Sequence, residues 1–334
     1  MTVALTGTGT AVGKPVLQRL YAEQSVSAII DVDLVESDVP DQLLPIVLDG
    51  SGVVVHCALE PALDRDEDAS FGRVIHASRN LLDAVAKVGA HKLVVISSAM
   101  VYGAHPDNDL PLAEDAPLRA NPDFAWAYQL MLMEQLVEEW ADSHPAVTVT
   151  VLRPAIMLGP GVEGFMSCHL KSPRLSLIRG QSAPLQFVHV DDVAAAVQHA
   201  VRTELRGTFN VAADGWLPVT EVCAILGRRP ITLPETTAFE AVRWLWDWGL
   251  WHMPPGMLHY LMYPCVVTAD RLQAHGWTPT RSNRDILREF GEAHRAHLSI
   301  GRLQVRRRDL YGSILIAAGL LALWLGKCFK ARRQ

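Results

Sequence analysis

Ser98 closes an apolar run, Lys92-Leu93-Val94-Val95-Ile96-Ser97-Ser98, and Tyr102 follows one turn later. A hydroxyl and a phenol delivered by one strand end could hydrogen-bond a substrate oxygen and exchange a proton with it. A second group of residues offers different chemistry. Val3-Ala4-Leu5-Thr6-Gly7-Thr8-Gly9-Thr10-Ala11-Val12-Gly13-Lys14-Pro15-Val16-Leu17 joins an apolar run, a glycine-rich turn and an apolar-periodic segment. That order is written for a strand, a tight loop and a helix. Gly7, Gly9 and Gly13 would let the backbone approach a pyrophosphate, and the helix start would add N–H groups and the positive end of its dipole. The plainer alternative is an ordinary strand-to-helix connection. A second apolar run, Val26 to Val32, raises the odds of the first reading, because it leads into Asp33 with Asp31 two residues earlier. A carboxylate there can accept from both ribose hydroxyls of a dinucleotide and repels a 2′-phosphate. The expected cofactor is therefore NAD, with NADP disfavoured and the ribose contact open between Asp31 and Asp33.

The elements that must position these groups alternate. After Asp38-Val39-Pro40-Asp41 comes a short helical stretch through Leu43, Leu44 and Val47, with room for no more than a short third strand. Gly52-Val53-Val54-Val55-His56-Cys57-Ala58 reads as a strand buried on both faces. His56 is expected to be structural, since no second metal-type residue lies near it in sequence. Leu59 to Ser70 is acidic and expected to be a loop. Phe71 to Val88 has helical spacing closed by Gly89. The strand at 92–98 follows, then a proline- and acid-rich loop from His105 to Asp123, an amphipathic helix from Phe124 to Trp140, and a strand from Val147 to Arg153 stopped by Pro154. Strand and helix in alternation predict an α/β fold with a doubly wound parallel sheet of the Rossmann type, with Ser98 and Tyr102 in the crevice at the carboxyl ends of its strands.

Bulk properties narrow the class. At 334 residues, 49% hydrophobic and 20% charged, the chain is globular. Its net charge of −6 argues against a general nucleic-acid binder. The five cysteines have neither metal nor redox spacing, so a reducing compartment is expected. The N-terminus has no signal-peptide pattern.

Together these residues resemble the extended short-chain dehydrogenase/reductases, specifically the NAD-dependent epimerase/dehydratase group that includes nucleotide-sugar epimerases. The markers are Thr6-Gly7 with Gly13, Asp38-Val39, Val54-Val55-His56-Cys57-Ala58, Asn80-Leu81-Leu82-Asp83-Ala84, Ser97-Ser98 with Val101-Tyr102-Gly103, and Leu152-Arg153-Pro154. Phe187-Val188-His189-Val190-Asp191-Asp192-Val193, Gly207-Thr208-Phe209-Asn210-Val211 and Gly276-Trp277-Thr278-Pro279 extend the resemblance over roughly residues 1 to 295. The resemblance implies that Asp38, with Val39, meets the adenine amine, that Ala58 lines the cofactor channel, and that Arg153 belongs to the cofactor-binding set. It also implies a smaller, mostly helical substrate domain. The expected division is a cofactor domain over 1–153 with 187–212 contributing, substrate-domain segments over 154–295, and a separate C-terminal helix over 310–326.

Two departures bear on chemistry. The family usually carries glycine where this chain has Thr10, with Gly9 one residue earlier. Its catalytic set pairs a serine or threonine with a YxxxK motif, often with an asparagine on the preceding helix. Ser98 matches the serine, but anchoring the helix on Glu134-Gln135 puts Trp126 at the tyrosine, Leu130 at the lysine and Val74 at the asparagine. Tryptophan cannot act as a base and leucine carries no charge to lower a neighbour's pKa. Tyr128 lies about 200° around the helix from the expected place, which leaves Tyr102 as the candidate substitute. The function expected is oxidoreduction or epimerisation of a nucleotide sugar or an apolar alcohol such as a sterol. The competing expectation is a cofactor-binding scaffold without turnover.

Two apolar stretches remain. Trp244, Trp246, Trp248 and Trp251 crowd a window with Met253, Met257, Tyr260, Met262 and Tyr263, and read as a helical lid packed on the substrate domain, as an apolar substrate pocket, or as a face in a membrane interface. Leu310 to Gly326 is uncharged, near the lower limit of about 17 residues for a span, with basic residues on both flanks and Tyr311 and Trp324 near its ends. It is expected to anchor a cytoplasmic domain to a membrane as a transmembrane helix. The expected partners are that membrane and a small-molecule substrate, with a homodimer left open.

Overall fold

The structure, a computed structural model, describes residues 1–32, 43–57, 67–251, 253–295, 297–300 and 303–306. Its centre is a six-stranded, wholly parallel sheet in the order β2-β1-β3-β4-β5-β9. The strands are β1 (Thr2–Thr6), β2 (Ala28–Val32), β3 (Val53–His56), β4 (Lys92–Ile96), β5 (Thr148–Pro154) and β9 (Gly207–Val211). Helices α1 (Gly13–Tyr21) and α6 (Val190–Arg202) pack together on one side. On the other side α2 (Leu44–Val47) packs on α3 (Glu67–Lys87), and α3 on α4 (Ala125–Ser143).

Strand alternation divides the core between those layers. Val3, Leu5, Val53, Val55, Val94 and Ile96 join the cluster under α1 and α6, while Ala4, Val54, Leu93 and Val95 join the one under α3 and α4. Sheets with helices on both faces need strands apolar on both faces, which is why these runs are continuous. The strand order reverses between β1 and β3, and open α/β sheets bind ligands outside the carboxyl ends at such a point.

The second part is smaller and mostly helical. It contains α5 (Phe165–Lys171), α7 (Val219–Leu226), α8 (Glu235–Asp247), α9 (His259–Met262), α10 (Asp270–Ala274) and α11 (Asn283–Ala293). Three strand pairs complete it: β6 (Ile156–Leu158) with β8 (Phe187–His189), β7 (Arg174–Ile178) with β10 (Arg229–Leu233), and the hairpin of β11 (His297–Ile300) and β12 (Leu303–Arg306). Two buried amides tie β8 and α11 to the segment that follows β9. Asn283 Oδ1 accepts from Phe187 N–H at 2.6 Å, and Gln186 donates to the carbonyls of Ala213, Gly215 and Val267. The Asp191-Asp192 and Gly276-Trp277 motifs meet there, with Trp277 Nε1–H on the Asp192 carbonyl and Thr280 on the Asp192 carboxylate.

Some boundaries differ from expectation. Helix α3 already includes Glu67, inside the stretch expected to be a loop. Strand β5 runs through Pro154, because the ladder bond to Val211 comes from the N–H of Ala155. The described residues between β2 and β3 hold α2 and no strand. Helix α8 ends at Asp247, well before Pro254 and Pro255, with Gly249 at φ +73° just beyond it. Among the described residues no helix is long and apolar enough to cross a membrane, and 310–326 lie outside them.

His56, at the end of β3, is structural in this fold. Its Nδ1 pairs with Thr6 Oγ1 at 2.7 Å, and burial pushes the imidazole down to about 4. A histidine that titrates near 6.5 when unfolded and near 4 when folded holds its full contribution above pH 6.5 and loses it as pH falls toward 4. Denaturant midpoints should therefore fall between pH 7 and pH 4.5, and His56→Asn should flatten that slope. An unchanged slope in the variant would assign the acid sensitivity elsewhere.

Candidate functional site

The glycine turn is shaped by close approach. Gly7 has φ +74°, and its carbonyl lies where a side chain on Gly13 would sit, 2.0 Å from an added Cβ. Only glycine at 13 lets α1 start this near the turn, and the start of a helix so placed presents its amides to an anion. Gly7, Gly9 and Gly13 are thus brought together as expected, with Gly9 exposed at the tip. Thr10 supplies the tie. Its hydroxyl donates to the Gly7 carbonyl at 2.7 Å, with the Cys57 carbonyl at 3.2 Å, and accepts from Gly13 N–H at 3.0 Å. The residue that departs from the family pattern joins the turn to both α1 and the end of β3. Asp31 is exposed on β2, one residue before the end of that strand. Asp33, Asp38, Val39 and Ala58 lie outside the described residues.

Ser98 caps a 3₁₀ turn over Ala99–Tyr102, its Oγ accepting from Met100 N–H at 3.2 Å. It is mostly buried at the end of β4, in the crevice where it was expected.

Tyr102 and Arg153 have other tasks than those expected of them. Tyr102 is 1% exposed; its hydroxyl donates to Asn210 Oδ1 at 2.9 Å and accepts from Arg153 Nη1 at 2.8 Å. Burial pushes the phenol up to about 12 despite the neighbouring guanidinium, so it stays protonated and both its hydrogen-bonding directions are taken. Arg153 does not reach the glycine turn. Its Nε and Nη2 clasp Glu134 Oε2 at 2.9 and 2.5 Å, and its guanidinium lies 4.8 Å from the Tyr102 ring centroid. Burial alone would push this guanidinium down, and the Glu134 carboxylate more than reverses that. Tyr102 is therefore a buried tie rather than a proton donor, and Arg153 a structural ion-pair partner rather than a cofactor ligand.

Glu134 faces β5 from α4, so Leu130 and Trp126, one and two turns earlier, share its side of the helix. Leu130 is 2% exposed within the core and Trp126 packs on that core, with its ring 5.9 Å from Phe124. Trp126 and Leu130, the positions expected to correspond to YxxxK, are both apolar and face the core.

Beyond Ser98 lies a small cavity, with Tyr260 of the aromatic and methionine-rich window on its wall. It measures about 20 Å³, room for about one water, and is lined by Ala99, Met100, Ala155, Ile156, Pro184, Leu185, Tyr260 and Cys265. Its two polar groups are used on backbone: Tyr260 donates to the Met100 carbonyl at 2.7 Å and the Cys265 thiol to the Ala99 carbonyl at 3.4 Å. Burial pushes the thiol up to about 12 and the Tyr260 phenol well above its usual range. Gly256 permits this closure, because an added Cβ would sit 2.2 Å from the Asp123 carbonyl ahead of α4. The nearest signal in the sequence was the methionine- and tyrosine-rich window around 253–263.

Fold and site together define a dinucleotide-binding α/β protein of the doubly wound kind. The model of the NAD dependent epimerase/dehydratase family matches residues 5–212, and the chain belongs to that family, whose cofactor is NAD. A Streptomyces protein named 3-diazoavenalumate denitrifying reductase is 31% identical over 246 residues, covering 68% of this chain and 75% of its own. An uncharacterized protein of Mycobacterium tuberculosis is 26% identical over 232 residues, 66% of this chain, and the match spans 62% of that protein's length. The solved UDP-glucose 4-epimerase of Thermus thermophilus, in complex with NAD, superposes with a TM-score of 0.66 at 20% identity, over 88% of this chain and 99% of that one.

Removing one partner of a buried ion pair leaves an uncompensated charge, which typically costs about 3–5 kcal/mol. Glu134→Gln should lower unfolding free energy by about that amount in urea titration. A change below about 1 kcal/mol, the range of an exposed pair, would show that Arg153 is solvated.

Proposed function

We propose that this chain is an NAD-dependent oxidoreductase whose substrate is small and apolar rather than a nucleotide sugar. The observation that carries this reading is the apolar surface beside Ser98 at the carboxyl ends of β4 and β5, which among the described residues offers neither Lys nor Arg to a diphosphate. When bound, NAD supplies a hydride acceptor or donor. The residues present fit it: the Gly7–Gly13 contact sets the start of α1, with its free amides, against the glycine turn where a pyrophosphate would lie, Asp31 or Asp33 would meet the ribose, and Ser98 offers a hydroxyl at the crevice. With Trp126 and Leu130 at the proton-relay positions, the reaction favoured is one that asks little proton transfer of the protein. The Streptomyces relative, named as a reductase of a diazo compound, supports reduction of a non-sugar substrate.

Trp126 and Leu130 also favour a second reading, a cofactor-binding scaffold without turnover. The two are separated by assaying NADH oxidation and NAD reduction with apolar aldehydes, alcohols and UDP-sugars, in the natural chain and in Trp126→Tyr/Leu130→Lys. The first reading expects slow turnover on apolar compounds alone, raised at least tenfold for carbonyl substrates by the double variant. No turnover in either chain supports the scaffold, and turnover on UDP-sugars contradicts the apolar assignment.

Residues 310–326, which we propose tether the chain to a membrane, are uncharged and would satisfy every backbone group internally as a helix in lipid. Truncation after Arg306, which retains the β11–β12 hairpin, should give a folded protein that no longer sediments with membranes. Full-length protein that stays in the supernatant without detergent would refute the tether.

A further inference from the structure

Helix α8 is two-faced in an unusual way. Ala238, Val242 and Trp246, at i, i+4 and i+8, are buried in the core. On the other side Trp244 is 55% exposed, Trp248 at the helix end 68%, and Leu250 just beyond it 53%. The two outer indoles meet with ring centroids 5.7 Å apart. Tryptophan has an apolar body and an N–H that wants a partner, so it concentrates where lipid meets water.

Two connections place this face in the context of the molecule. Inward, α8 rests on the wall of the cavity: Phe239 packs against His259 at 5.3 Å between ring centroids, and the next residue, Tyr260, lines the cavity. Sideways, Trp246 meets Phe165 of α5 edge-on at 6.4 Å, and β11 packs against α5. The chain leaves that hairpin at Arg306, passes Arg307-Arg308, and enters the uncharged stretch from Leu310 to Gly326. The tail thus departs from an element one helix removed from α8.

We propose that Trp244, Trp248 and Leu250 seat in the interfacial layer of a lipid bilayer, beside the point where the tail enters it. This rests on the tether and on the apolar-substrate reading, and deepens both. The cavity's outer wall then lies at the lipid surface, and the substrate class becomes molecules that partition into the bilayer. The other occupant of such a face is a second copy of the chain, an outcome the test separates.

The experiment uses the full chain carrying Trp324→Phe, so that the tail's own indole is silent, reconstituted into phosphatidylcholine/phosphatidylglycerol vesicles with and without dibrominated acyl chains. Flotation reads the tether and tryptophan quenching reads the face. Quenching by the brominated lipid is expected, and Trp244→Ser/Trp248→Ser should abolish most of it while the chain still floats. Flotation with quenching that the double substitution leaves unchanged overturns the interfacial face and leaves the tether standing. Flotation without quenching, with a dimer mass that the double substitution halves, assigns the face to a second copy. A chain that does not float overturns both.

Discussion

The Glu134–Arg153 ion pair holds the crevice together. A carboxylate and a guanidinium, 4% and 5% exposed, sit between α4 and β5, where either alone would be prohibitive. Paired with two nitrogens on one carboxylate, and with the remaining guanidinium nitrogen on Tyr102, the charges are compensated and the geometry is directional. Tyr102 passes the constraint to Asn210 on β9, and Asn210 passes it to Glu114, whose carboxylate accepts from its N–H at 3.0 Å, and to the Thr268 carbonyl at 3.1 Å. One network thereby ties a helix, two neighbouring strands and the loops that roof the strand ends.

Its consequence for chemistry is that the rotation of α4 is set. With Glu134 held toward β5, Leu130 and Trp126 must share that side of the helix, and neither can supply or accept a proton there. On the proposed correspondence, Trp126 and Leu130 put apolar packing where a proton relay is expected. The glycine turn shows the complementary pattern. Its close approach at Gly13 is kept, and a threonine hydroxyl links the turn to α1 and β3.

Much of this was legible in the sequence, because apolar runs, glycine turns and helical spacing are local signals. The strands at 53–56, 92–96 and 148–154 and the helix holding Glu134 stand close to their expected positions. The ties that Tyr102 and Arg153 make are not legible for a physical reason: residue type and chain position place a group at a strand end, whereas its partners depend on what another element brings to it. A charged residue inside an apolar strand, Arg153, and a carboxylate on an apolar helix face, Glu134, were the available sign that the two would pair. An apolar pocket is one reading of the window that holds Tyr260, but its other walls are not legible, since Ala99, Ile156 and Leu185 come from three separate segments and none is unusual alone.

We propose that the chain binds a dinucleotide at the glycine turn although Trp126 and Leu130 stand where a proton relay is expected. Native mass spectrometry of the purified chain, with the cofactor identified after denaturation, tests it most directly. The account predicts a bound species with the mass of NAD or NADH, regained by the stripped protein on adding NAD and not on adding NADP. A chain that carries no dinucleotide and takes up neither would contradict it.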